Sequence, residues 1–166
     1  KDVRNLPLGD PRRDAGEQRV IAPFIALAED DQASDMARME AALLVARRTW
    51  DPNTFTASPS LTAFLRKHLA ARDVGMRRDA ALSILSLVKP LTGDDWERIT
   101  GVLDEQALPL DVLPVNLAHN SPPEGAFETL LLTRLGGKDT REAAIALRLL
   151  SDFESRAVTG HDAIWP

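Results

Sequence analysis

At 166 residues, with 44% hydrophobic and 27% charged side chains, the chain has the make-up of one folded globular domain rather than a disordered segment. A formal net charge of −5 argues against a general nucleic-acid surface, which needs clustered Lys and Arg to displace counterions. The absence of Cys excludes disulfides, thiolate catalysis and Cys-type zinc sites together, and leaves cytosol and periplasm equally compatible.

Aromatics make up only 5% of the chain and Tyr is missing, so Leu, Ala, Val and Ile must fill the core. No apolar run approaches the roughly 18 residues that a membrane span needs. The longest, Ala80–Val88, is broken by Ser83 and Ser86. The chain opens at Lys1 rather than Met, which fits an excised domain, a processed protein or a chain whose start lies outside this sequence, so a signal or anchor could lie upstream.

Residues 1–16 combine Pro, Gly and charge without an apolar period and read as an extended lead-in. Apolar residues then recur at helical spacing through Val20, Ile21, Phe24, Ile25 and Leu27, predicting a helix over 17–29 with Pro23 in its first two turns. Ser34 or Asp35 can cap a second helix over 35–50, stopped by Asp51-Pro52-Asn53. The clearest unit follows at Leu61–Lys89. One helix carries Leu61, Phe64, Leu65, His68 and Leu69, and Ser60 can cap it. A short polar turn spans Arg72–Val74, and a second helix carries Met76, Ala80, Ile84 and Leu87. Two helices joined by so short a turn must run antiparallel and bury a stripe against each other.

Thr92-Gly93-Asp94-Asp95 opens a further helix with Trp96, Ile99, Val102 and Leu103 on one side. Its expected partner over 110–119 is bracketed by Pro109 and Pro114, which leaves open whether the pair over 93–119 is a complete unit. After the loop at 120–124 come a helix over 125–135, a Gly136-Gly137 turn and a long helix over 140–154. The stretch 159–166 has no period, and 157–166 reads as a C-terminal tail. No segment alternates over a strand's length beyond Leu108–Val115, so the predicted class is all-α.

The helices repeat. Arg followed by small residues three and four positions later occurs as Arg38-Met39-Glu40-Ala41-Ala42 and Arg77-Arg78-Asp79-Ala80-Ala81, and in a shorter form as Arg141-Glu142-Ala143-Ala144. Phe24, Phe64 and Phe127 precede these arginines by 13 or 14 residues, and Trp96 takes the same slot in the remaining unit. By subtraction the aromatics lie 40, 32 and 31 residues apart, a spacing that marks stacked helical hairpins.

At these residues the chain resembles the HEAT-repeat family, whose second helix opens with an acidic turn residue, a hydrophobic-Arg pair and then Ala. Asp73, Met76-Arg77 and Ala80 carry the pattern, as do Asp35, Ala37-Arg38 and Ala41, and more loosely Asp139, Thr140-Arg141 and Ala144. The third unit departs from it, with Leu110 where Arg is expected. The resemblance covers about 17–156 as a helical repeat domain of four antiparallel pairs. It implies a short right-handed α-solenoid, with a closed helical bundle as the alternative. It also implies that each repeat Arg reaches a turn acid of a neighbouring unit, Arg77 toward Asp35 or Asp73.

No constellation in the chain carries recognisable chemistry. His68, His119 and His161 do not pair at ligand spacing, no Ser sits in a nucleophile-elbow context, and Gly136-Gly137 lacks the other residues of a phosphate loop. Asp94-Asp95 precedes a helix, where the macrodipole favours negative charge. Trp50 and Trp165 flank breaks in the pattern and read as covers for exposed hairpin edges, and Trp165, as an aromatic in a tail, can also dock on another chain. Neither cofactor nor metal is therefore expected. Architecture points to a protein-interaction or scaffold module within a larger protein or assembly. The alternatives are an enzyme like the HEAT-like DNA glycosylases, or a ligand-binding bundle. Aligning the units on Arg38, Arg77, Leu110 and Arg141 places Glu40, Asp79, Asp111 and Glu142 within one position of each other. They are expected to form an outward acidic row that meets a basic protein partner rather than nucleic acid.

Overall fold

The structure, a computed structural model, describes residues 11–48, 55–113 and 125–162. Among these residues it is all-helical, with seven α-helices, one 3₁₀ turn and no strand. The first helix, α1, covers Pro11–Glu29 and so begins inside the stretch expected to be extended. Pro11 suits a helix start, where a missing N–H leaves nothing unsatisfied. The earlier start places Pro23 in the fourth turn, where it removes the bond back to residue 19. Helix α2 covers Asp35–Arg48, and the Ser34 hydroxyl accepts from the Ala37 N–H at 3.3 Å.

Helix α3 covers Pro59–His68 and is capped by Ser58 rather than Ser60. The reason is local. A residue before Pro is held extended, which is what an N-cap needs, and Pro59 then fills the first helical position. Asp73 caps α4 (Val74–Leu87) by accepting from the Met76 N–H at 2.7 Å. Thr92 and Asp95 form a reciprocal capping box on α5 (Gly93–Glu105). Ala107 closes α5 at φ 47°, and the Leu108 N–H donates back to Leu103 at 2.9 Å. The expected second helix of this unit is only the 3₁₀ turn Leu110–Val112 within the described residues, which end at Leu113 and resume at Gly125. Gly125, at φ 56°, precedes α6 (Ala126–Leu135). Helix α7 covers Thr140–Asp162, so it continues well into the expected tail.

Hydrogen bonds fix how the helices lie. The Ala57 N–H donates to Leu87 at 2.8 Å, bringing the start of α3 to the end of α4 and making the pair antiparallel. The Ser86 hydroxyl donates to the Ala46 carbonyl at 3.1 Å, so α2 and α4 end together and run parallel. Gln106 donates to the Val74 carbonyl at 3.1 Å, placing the end of α5 at the start of α4. Trp96 and Phe127 meet at 4.6 Å between ring centroids near the starts of α5 and α6. Helix α1 packs on α2, α3 on α4 and α6 on α7, while α2 also packs on α4 and α5 on α6.

Small residues let the helix axes approach. Ala41 and Ala42 of α2 and Ala80 and Ala81 of α4 are all fully buried. Every residue from Ala80 to Val88 is buried, so the C-terminal part of α4 is enclosed on all sides. Beyond Asp79, α4 keeps no exposed stripe. The repeat slots also diverge in α7, where Ala146 is buried and Ala144 is exposed. Glu142 sets that phase. It turns inward with Ala146 four residues on, and Ala144 lies roughly 200° round the helix from both.

Candidate functional site

The repeat arginines are structural ties. Arg38 is buried, donates from Nε to the Ala28 carbonyl at 3.1 Å and lies 2.8 Å from Asp31. Its guanidinium also sits 4.3 Å from the centre of the Phe64 ring, joining the α1–α2 turn to α3. Arg77 donates to the Ala71 carbonyl at 2.8 Å and to Glu105 at 2.5 Å. It therefore seals the turn before α4 and reaches forward to α5. Neither Asp35 nor Asp73 receives it: Asp73 is spent on its cap, and Asp35 faces Lys67 at 3.9 Å and His68 at 3.2 Å. His68 is buried edge-on to Phe64 at 4.5 Å, and its Nε2 is not aligned for a hydrogen bond with Asp35. Arg141 pairs with Asp111 at 2.8 Å.

A further link was not legible in the sequence. Arg66 on α3 grips buried Asp95 at the start of α5 with two bonds, Nε to Oδ1 at 2.8 Å and Nη2 to Oδ2 at 2.6 Å. The Thr92 N–H and hydroxyl both donate to the same carboxylate at 2.9 Å. Burial pushes the Asp95 carboxyl up, but Arg66 and Thr92 outweigh it and hold it below the usual carboxylate range. The bond to Asp95 in turn raises Arg66. Glu29 likewise accepts from the Ser58 N–H and hydroxyl, and Asp31 accepts from the Ser60 hydroxyl at 3.0 Å. These contacts pin the α1–α2 turn along α3.

The four acids expected to form an outward row are in four different settings. Glu40 is exposed on α2. Asp79 is half-buried and bonded to Arg78 at 3.0 Å. Asp111 is held by Arg141. Glu142 is buried, accepts from the Leu110 N–H at 3.0 and 3.2 Å and lies 3.7 Å from Arg134. Its carboxylate satisfies a backbone donor at the start of the 3₁₀ turn, which is why it turns inward. A continuous exposed row is therefore not present.

Among the described residues a half-open groove of about 250 Å3 lies between the 3₁₀ turn and α7. Leu110, Leu113, Ile145 and Leu149 form its apolar lining. Asp111, Arg148 and Asp152 also line it, and the pairs Arg141–Asp111 and Arg148–Asp152 balance its charge. The 145, 149 and 152 spacing on α7 was readable as a helix face. The opposing wall was not, because it depends on Glu142 drawing Leu110 onto α7.

Among the described residues no group of three or more His, Asp or Glu is placed to hold a metal ion, and no helix is long and apolar enough to cross a membrane. His119, Trp50 and Trp165 lie outside the described residues, as does the side chain of His161. No family model, curated protein or solved structure matches the chain.

Proposed function

We propose that the chain is a protein-interaction module, built from HEAT-like helix pairs, that uses the groove between the 3₁₀ turn and α7 as its contact surface. The observation that carries this reading is the groove itself, an apolar lining left half-open beside a buried Glu142–Leu110 tie. Half-open apolar surface rimmed by charge is the kind that binding sites use. The matching positions Arg38 and Ala41 of α2 and Arg77 and Ala80 of α4 support a stack of hairpins. The enclosure of α4 supports a more closed packing around that helix than a fully open solenoid has.

An acidic row would call for a basic partner. With Asp111 paired and Glu142 buried, the groove is the better surface, and its balanced ion pairs favour apolar fit over charge attraction. Association through it therefore depends weakly on salt.

The test compares partner capture by the wild-type chain with capture by Ile145→Glu/Leu149→Glu and by Glu40→Lys/Asp79→Lys, each checked for intact helix content. Loss of a captured partner with the first variant alone supports the groove. Retention with the first and loss with the second moves the contact to α2 and α4.

A further inference from the structure

We draw no further inference here: the strongest candidate, the groove between the 3₁₀ turn Leu110–Val112 and α7, belongs to the site already described, and nothing in the structure shows what covers its apolar lining.

Discussion

Ala107 holds a backbone conformation that suits glycine better than any residue with a Cβ. Its φ of 47° ends α5 and lets the Leu108 N–H close back on Leu103. The left-handed region is disfavoured for L-residues by roughly 1–2 kcal/mol, and glycine escapes that penalty while giving up part of the gain to unfolded-state entropy. Ala107→Gly is expected to raise stability by about 0.5–1 kcal/mol in urea unfolding. Asp95 predicts a pH effect instead. Its carboxyl is held low in the folded chain, so its contribution is present above the unfolded value of about 4 and is lost as pH falls through the folded one. Asp95→Asn should lower stability at pH 7 by about 1.5–3 kcal/mol, the scale of hydrogen bonds to a charged group. It should also flatten the loss of stability below about pH 4 that the wild type shows. Arg66→Leu should reproduce the flattening in part. An acid profile identical in Asp95→Asn and wild type would show that other carboxylates set the curve.

At the scale of the helices, much was readable because caps and periods are local. Ser34 before α2 and Thr92-Gly93-Asp94-Asp95 before α5 fall where the structure places them, and Asp73, read only as an acidic turn residue, is the cap of α4. Local chemistry also explains two helices that start earlier than their apolar period, since Pro11 and Pro59 are helix openers that an apolar period does not count. What the sequence could not supply was phase set by distant contacts. The Arg-then-Ala pattern puts Ala144 level with Ala41 and Ala80, yet the carboxylate of Glu142 reaches Leu110 and rotates α7 so that Ala146 faces inward. The same blindness hid the Arg66–Asp95 link, which requires knowing that α3 and α5 touch. The phase of α7 is open to a direct comparison. Ala146→Leu should lower the unfolding midpoint, because adding methylenes to a packed interior costs about 1–3 kcal/mol. Ala144→Leu, on the exposed side, should leave it within about 0.5 kcal/mol. Reversed effects would restore the repeat alignment.

For the molecule as a whole, the polar ties run between helix pairs as well as within them: Glu29 to Ser58, Arg66 to Asp95, Arg77 to Glu105 and Glu142 to Leu110. Neighbouring pairs are thus pinned at their ends while alanines set the spacing between their axes. Among the described residues the groove lies where the 3₁₀ turn Leu110–Val112 faces α7, so the proposed contact surface falls where Leu110 departs from the sequence pattern. The enclosed stretch Ala80–Val88 has a consequence for how the chain opens. Its amides are surrounded by packed neighbours on every side, and no local fraying can bring water to them without parting α2, α3 and α5 from α4. Deuterium uptake at Ile84–Leu87 should then proceed only through global unfolding, and its free energy should equal that from denaturant titration. Amides in α1 should exchange through smaller openings, since Val20, Phe24 and Leu27 are exposed and the helix carries Pro23. If α4 exchanged as readily as α1, its burial would be no barrier, and the chain would open one hairpin at a time rather than as a single cooperative unit.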